Sequence, residues 1–234
     1  MSLSEQTQEL VNNFINGLDE HDKAAIMGGF ETIRNTPYGV DALRVGDQAK
    51  DFRLPNASGG EQTLAVLLKE GPLVISFYRG GWCPYCNLEF KALSDALPKI
   101  NQLGAKLIGI SPELPDNSMS TKEKHQLPFD VLSDVGNKVA REYGIVMDVP
   151  PSMVPLYIKW GLNVPSIPQP NTDTFRLIGQ RGVRATNKMP IASQHCIPPR
   201  HSAHWLTPSD PILAARLALR TNSVTAEHAA NLQQ

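Results

Sequence analysis

The sequence predicts an α/β fold, and three consecutive segments carry most of the evidence. Residues 73–78 (LVISFY) are almost continuously apolar and rich in β-forming side chains, as in a strand buried on both faces of a parallel sheet. Residues 84–100 then place apolar side chains along one helical stripe, and residues 106–110 (KLIGI) form a second apolar strand. A strand, a helix and a strand in this order predict a βαβ unit with two parallel strands.

Further elements extend this pattern in both directions along the chain. Residues 129–132 predict another strand, and residues 137–143 predict a helix that ends at Gly144. Residues 51–54 predict a short strand and residues 64–68 a helix. Two short amphipathic helices are predicted before these elements, because apolar residues recur at helical spacing. Those residues are Leu10, Phe14, Leu18, Ile26, Phe30 and Ile33.

Composition and charge exclude several classes of protein. The 234 residues are 41% hydrophobic, which is enough for a folded core, and the net charge of -1 indicates neither a nucleic-acid nor a membrane partner. No apolar run reaches the roughly 18 residues that cross a bilayer, and residues 1–10 have neither the basic nor the apolar part of a secretory signal. We therefore expect a cytoplasmic protein, with its oligomeric state left open.

Two of the three cysteines, Cys83 and Cys86, lie where the first strand meets the helix. Gly80 and Gly81 supply a tight turn there, and Pro84 suits the first position of the helix. Ligands bind at the carboxyl end of such strands, and the helix N-terminus carries about half a positive charge. In motifs of this kind the thiol pKa falls from about 8.5 to roughly 3.5–7.5. The second cysteine, one turn further, is placed to resolve an oxidised first one.

Redox chemistry explains this cysteine pair better than a zinc half-site or an inert buried pair. A structural zinc ion needs four ligands, and only Cys196 and the histidines remain to complete the set. We therefore predict a redox-active pair without a metal or a cofactor. A cluster of metal-ligand types also occurs further on, but its prolines and lack of flanking structure favour a chance grouping. It comprises His195, Cys196, His201 and His204.

The segment around the pair, residues 77–86 (FYRGGWCPYC), resembles the active-site segment of a peroxiredoxin-like branch of the alkyl hydroperoxide reductase and thiol-specific antioxidant family. Residues 45–55 resemble the opening of that domain, although Lys50 stands where a proline is usual. The likeness covers about residues 45–161, and a helical extension before it is usual in this branch. Its next two strands resemble residues 107–111 and 127–134.

The resemblance implies a thioredoxin-like fold and a thiol-dependent peroxidase. Its substrate would be hydrogen peroxide or an organic hydroperoxide, and its electrons would come from thioredoxin or a similar thiol donor. The family spacing Pro-x-x-x-Thr-x-x-Cys places Arg79 at the proline, Cys83 at the threonine and Cys86 at the peroxidatic cysteine. In thioredoxin-like active sites the first cysteine of the pair is the nucleophile, which would be Cys83. We favour that assignment because Cys83 begins the helix.

Residues beside the pair have two possible roles each. Arg79 can hold the thiolate and polarise the peroxide, or it can be a solvated loop arginine. Trp82 and Tyr85 can line the pocket or can simply pack. The acidic residue that lies beneath the CxxC motif of thioredoxins has no counterpart in the nearby strand, so proton transfer is left to Ser76, to water or to no specific group.

The last quarter of the chain differs in character from the rest. Residues 1–175 hold 15 Lys and Arg against 21 Asp and Glu, whereas residues 176–234 hold 7 against 2. Residues 176–184 have no alternating pattern long enough to predict a pairing strand, and we hypothesise that the reading frame changes near Phe175. We therefore expect a helical extension over 1–44, a thioredoxin-like domain over 45–175 that is incomplete, and an atypical, disordered or frame-shifted tail over 176–234.

The tail offers two weak structural candidates and leaves two alternative functions open. Met189–Pro190 is the one candidate for the cis-proline site of the thioredoxin-like fold, and residues 210–219 predict a helix. The alternatives to a peroxidase are a thioredoxin-like protein-disulfide oxidoreductase and an inactive remnant whose fold is incomplete.

Overall fold

The computed structural model describes residues 1–44 and 47–162, and the backbone of residues 176–178, 181–185 and 192–194. The helices are α1 (Leu3–Asn16), α2 (Glu20–Asn35), α3 (Leu64–Lys69), α4 (Pro84–Gln102), α5 (Pro115–Lys124), α6 (Lys138–Glu142) and α7 (Val154–Lys159). The strands are β1 (Arg53–Pro55), β2 (Glu61–Thr63), β3 (Leu73–Phe77), β4 (Lys106–Ser111), β5 (Asp130–Ser133), β6 (Val146–Asp148), β7 (Arg176–Ile178), β8 (Arg181–Ala185) and β9 (Ala192–Gln194).

The main sheet has the strand order β5-β4-β3-β8-β9 within the described residues. Strand β3 pairs in parallel with β4, and β4 pairs in parallel with β5. In the β3–β4 register Leu73 lies opposite Lys106, and Phe77 lies opposite Ile110. The predicted βαβ unit is therefore confirmed, and β3 is the central strand that its apolar sequence predicted.

Alternate residues of the central strand feed two cores on opposite faces of the sheet. Leu73, Ile75 and Phe77 are fully buried in a core that includes residues of α3 and α6. Val74 packs instead against the core that contains the buried face of α4. Helices thus cover both faces of the sheet, which is the three-layer, thioredoxin-like α/β architecture expected from the sequence.

The two N-terminal helices form a third, smaller core with α7. Ser2 caps α1 with a capping box, and the Asp19 side chain caps α2 by accepting a hydrogen bond from the Asp22 amide. Ile26 of α2 and Leu156 of α7 are buried in this core, and Trp82 packs against it. The predicted helical extension is confirmed, and it contributes to the surroundings of the Cys83 turn.

The expectation that no strand forms after residue 175 is wrong. Strand β8 pairs antiparallel with β3, with Gly182 opposite Ser76, and β9 pairs antiparallel with β8. The sequence RGVRA lacks alternation and contains glycine, so local propensity gave no signal. Pairing in a sheet depends on the neighbouring strand as well as on local preference. The central strand therefore has partners on both of its edges.

Several predictions about the tail lie outside the described residues. These are the Met189–Pro190 site, the helix over 210–219 and the cluster of His195, Cys196, His201 and His204. The change of reading frame near Phe175 stays a hypothesis that translation of the coding DNA in the other two frames would test. Across the described part of the chain, no helix combines the length and the apolar character that crossing a membrane requires.

Candidate active site

Two glycines form the turn that joins β3 to the cysteine pair. Gly80 has a φ of +142°, a conformation that favours glycine, and a Cβ there would lie 2.5 Å from Trp82 Nε1 and 2.8 Å from Glu113 Oε1. A Cβ on Gly81 would collide with the side chain of Thr121. The Cys83 amide closes the turn by donating to the Gly80 carbonyl at 3.1 Å. The two glycines therefore allow the chain to reverse within a crowded space.

Cys83 is the N-cap residue of α4, and Pro84 follows it at the first helical position. The Arg79 guanidinium donates a hydrogen bond from Nη2 to Cys83 Sγ over 2.9 Å. Arg79 is thus not a solvated loop arginine: it is half-buried and bonded to the sulfur. Of the two roles that the sequence allowed, the geometry supports the one in which a guanidinium holds a thiolate.

The two cysteines are both fully buried, yet their acidities move in opposite directions. Burial acts to raise the pKa of Cys83, but hydrogen bonding from Cys86 and the charge of Arg79 outweigh it and lower the pKa to about 6. Burial, together with the hydrogen bond and the negative charge at Cys83, holds the pKa of Cys86 well above its usual value. The arrangement favours a thiolate at Cys83 and a thiol at Cys86.

Aromatic rings surround the guanidinium. Arg79 Cζ lies 5.6 Å from the ring centre of Trp82 and 5.9 Å from that of Tyr85. Trp82 also makes an edge contact with Tyr157 of α7, with ring centres 6.1 Å apart. These distances are in the range of cation–π attraction, so the rings help to hold the arginine in place. Trp82 and Tyr85 therefore both pack and line the site.

Two carboxylic acids lie close to the pair, and the sequence interpretation missed both. Glu89 is half-buried on α4, and burial followed by the negative charge of Cys83 raises its pKa to about 7. Glu113 is 8% exposed and accepts a hydrogen bond from the Gly81 amide at 3.0 Å. Burial raises the pKa of Glu113, against the effect of its hydrogen bonds with Gly81 and Thr121.

Each acid had a signal in the sequence. Glu89 follows Cys86 by three residues on a helix, a spacing that brings side chains to neighbouring positions on one face. Glu113 comes two residues after the end of β4, and the glycine turn follows β3. Because the carboxyl ends of neighbouring parallel strands meet at one edge of a sheet, the two segments lie side by side. Ser76, the proton-transfer candidate from the sequence, has a buried hydroxyl without a hydrogen-bond partner among the described residues.

The structure brings together four of the five predicted site residues, namely Arg79, Trp82, Cys83 and Cys86. Pro84, the fifth, is exposed and serves to begin α4. A groove of about 810 Å³ between α1 and α4 borders the site at Pro84 and Asn87, but neither cysteine lines it.

A separate group of metal-ligand types lies away from the cysteines. The ligand atoms of Asp19, His21 and Asp22 lie within 4.8 Å of one another. Lys159 already offsets part of the negative charge of this group, with its Nζ 2.7 Å from Asp22 and 3.6 Å from Asp19. This group holds α7 against α2.

Residues 45–166 match the AhpC/TSA family, which is just over half of the chain. The chain belongs to this family. Among its members, a chloroplastic peroxiredoxin Q of Populus jackii is 29% identical over 129 residues, covering 55% of this chain and 59% of the poplar protein. This chain therefore matches about three fifths of the length of that relative.

Two solved structures share the fold. Peroxidoxin BcpB of Mycobacterium tuberculosis matches with a TM-score of 0.55 at 20% identity, over 76% of this chain and 96% of the other. The bacterioferritin comigratory protein of Xanthomonas campestris, a protein with alkyl peroxide reduction activity, matches with a TM-score of 0.51 at 15% identity, over 74% and 90%. At these identities the likeness establishes a thioredoxin-like fold.

Proposed function

We propose that this protein is a thiol-dependent peroxidase that reduces hydrogen peroxide or organic hydroperoxides. The observation that carries the proposal is the hydrogen bond of 2.9 Å from Arg79 Nη2 to Cys83 Sγ at the first turn of α4. Membership of the AhpC/TSA family supports it, as does the alkyl peroxide reduction activity of the Xanthomonas campestris protein of the same fold.

In the first step the Cys83 thiolate attacks the terminal oxygen of the hydroperoxide. The S–O bond forms as the O–O bond breaks, and the leaving oxygen takes a proton to become water or an alcohol. Cys83 is oxidised to a sulfenic acid, and the peroxide is reduced by two electrons. Arg79 stabilises both the thiolate and the negative charge that develops on the leaving oxygen, because its guanidinium keeps its charge and offers several donors.

In the second step Cys86 resolves the sulfenic acid. Its sulfur attacks Cys83 Sγ, the S–S bond forms, the S–O bond breaks, and the oxygen leaves as water. This step needs the proton of the Cys86 thiol to be removed. Glu89 lies three residues beyond Cys86 on α4, and its pKa of about 7 suits it to accept that proton near neutral pH. A thiol donor such as thioredoxin then reduces the disulfide with two electrons.

Burial of the pair favours small substrates over protein disulfides. Cys83 and Cys86 both have 0% exposure, and Trp82 and Tyr85 pack against the core that contains them. A hydroperoxide needs only a small opening of this core to reach Cys83 Sγ. For Cys83 Sγ to attack a disulfide on another protein, far more of the sulfur would have to be exposed to solvent. The alternative of a protein-disulfide oxidoreductase shares the thiolate chemistry, but the buried sulfur does not favour it.

The proposal is tested by mixing reduced protein with one equivalent of hydrogen peroxide and following tryptophan fluorescence by stopped flow. A Cys196→Ser background leaves Cys83 and Cys86 as the only thiols. We expect oxidation far faster than that of a free thiol, with loss of two thiols per chain. The same protein should reduce insulin disulfides slowly.

Two other outcomes would contradict the proposal. Oxidation no faster than that of a free thiol, together with rapid insulin reduction, would support the disulfide oxidoreductase. Sluggish thiols in both assays, with non-cooperative unfolding in urea, would support the inactive remnant.

A further inference from the structure

We propose that Glu113 is a positioning residue that holds the Gly80–Gly81 turn and, through that turn, the contact between Arg79 and Cys83. The proposal rests on the role of Cys83 as the thiolate in the proposed function. Its test measures the thiolate itself and uses no peroxide, so failure of the peroxidase proposal and failure of this one can be told apart.

The carboxylate of Glu113 lies directly behind the turn. Its Oε2 atom accepts hydrogen bonds from the Gly81 amide at 3.0 Å and from Thr121 Oγ1 at 3.4 Å. Its own amide donates to Ser111 Oγ at 3.2 Å, which fixes the residue at the end of β4. The side chain therefore ties the loop after β3 to the loop after β4 and to α5.

Close neighbours leave the backbone of the turn little room to change its shape. Gly80 adopts a φ of +142°, and its Cα faces both Glu113 Oε1 and Trp82 Nε1 closely enough that a Cβ would overlap them. Arg79 precedes this turn and Cys83 follows it, so the distance between guanidinium and sulfur depends on the turn's geometry. Without the acceptor at Glu113, the half-buried Gly81 amide would lose its carboxylate partner.

The role assigned to Glu113 depends on the reach of its carboxyl group and not on its charge. Two conservative substitutions separate these properties. Glu113→Gln keeps the reach and offers a side-chain carbonyl to the Gly81 amide, but removes the charge. Glu113→Asp keeps the charge and shortens the side chain by one methylene, which withdraws the acceptor from the amide.

The experiment measures the pH dependence of thiolate absorbance and of iodoacetamide alkylation at Cys83, in a Cys86→Ser, Cys196→Ser background. We expect Glu113→Gln to keep the midpoint of the parent within half a pH unit. Glu113→Asp should move the midpoint upwards by at least one unit and slow alkylation at pH 7 about twofold or more, because the thiolate fraction falls. Glu123→Gln, an exposed carboxylate on α5, is the matched control and should change nothing.

Two results would overturn the proposal. If Glu113→Gln shifts the midpoint and Glu113→Asp does not, the charge matters and not the hydrogen bond. If Glu113→Asp lowers the melting temperature while the midpoint stays in place, the residue has a purely structural role. A Thr121→Val variant, which keeps the bond to Gly81, should leave the midpoint close to that of the parent, and a large shift there would also contradict the assignment to the Gly81 amide.

Discussion

One cysteine stands at the N-cap of α4 and a second lies in the first turn of that helix. Both are fully buried, yet their thiol pKa values are shifted in opposite directions. Cys83, at the cap, has Arg79 Nη2 at 2.9 Å from its sulfur, and its pKa is lowered. Cys86, one turn further in the same apolar core, has its pKa raised by burial, by the hydrogen bond with Cys83 and by the negative charge there. Burial raises the pKa of both thiols, so burial alone cannot distinguish them.

The difference between the two cysteines is therefore set by a neighbouring charge and by hydrogen bonds. The Arg79 guanidinium stabilises a thiolate at Cys83. A second thiolate at Cys86 would be repelled by the negative charge at Cys83. The geometry therefore favours a thiolate at Cys83 and a protonated thiol at Cys86. The difference arises because Cys83 lies at the end of the glycine turn, and this turn places the Arg79 guanidinium beside its sulfur.

Replacing each cysteine in turn should give the largest contrast. In a Cys196→Ser background, Cys83→Ser should slow oxidation by stoichiometric peroxide about 10³-fold or more, because the nucleophile is gone. Cys86→Ser should keep fast oxidation but stop at the sulfenic acid. Stopped-flow fluorescence gives the rates, and a sulfenic-acid trap with mass spectrometry identifies the product. The reverse pattern would assign the nucleophile to Cys86, as the family spacing suggested.

Removing the Arg79 guanidinium should reduce the difference in thiol pKa between Cys83 and Cys86. We expect Arg79→Met to slow peroxide oxidation at pH 7 about 100-fold, since it loses both the charge and the donor at Cys83. Arg79→Lys keeps a charge without the planar fork and should recover only part of the rate. Arg53→Met, at an exposed arginine of β1, is the control. Full activity in Arg79→Met would show that the contact at 2.9 Å has no part in the chemistry.

Neutralising Glu89 should affect the second cysteine more than the first. Glu89→Gln should slow disulfide formation at pH 7.5 several-fold, with little change in the first oxidation step, because it removes the proposed acceptor of the Cys86 proton. Rapid-quench trapping of the sulfenic acid separates the two steps. Asp95→Asn, exposed on the same helix, should change neither step. Equal slowing of both steps would argue against this role.

The same Glu89→Gln variant should also change how stability depends on pH. The folded-state pKa of Glu89 is raised from 4.5 to about 7, so its contribution to stability is fully present below pH 4.5 and is lost as the pH rises through 7. The variant should equal the wild type at pH 4.5 and exceed it at pH 8 by about 1 kcal/mol, a value discounted for partial exposure. Urea unfolding at the two pH values measures this difference, and a variant that is less stable at pH 8 would contradict it.

The burial that both cysteines share should appear as a modest preference for small substrates. We expect cumene hydroperoxide to oxidise the protein about tenfold more slowly than hydrogen peroxide, since both cysteines are fully buried. Tyr85→Ala should narrow that difference by admitting the larger molecule. Stopped-flow rates with both peroxides test this prediction, and faster reaction of the larger peroxide in the unsubstituted protein would contradict it.

The parts of the fold that follow local rules were predictable from the sequence. Short local patterns indicate the structure of three elements: the apolar run of β3, the apolar stripe along α4 and the glycine after α6. Strand β8 was not predictable, because its sequence is weak and its pairing depends on β3. The roles of Arg79 and Glu113 were open or missed for a similar reason: each depends on a contact made in three dimensions, the second across 32 positions of the chain.

We infer above all that Cys83 is the thiolate and Cys86 the protonated thiol, and pH-dependent alkylation of both thiols in one protein tests this most directly. The Cys196→Ser protein keeps Cys83 and Cys86 beside each other, and peptide mass spectrometry after brief alkylation identifies which of them has reacted. We expect a midpoint near pH 6 for Cys83 and an alkylation rate for Cys86 that still rises above pH 9. An alkaline midpoint for Cys83, or a midpoint near neutrality for Cys86, would contradict it.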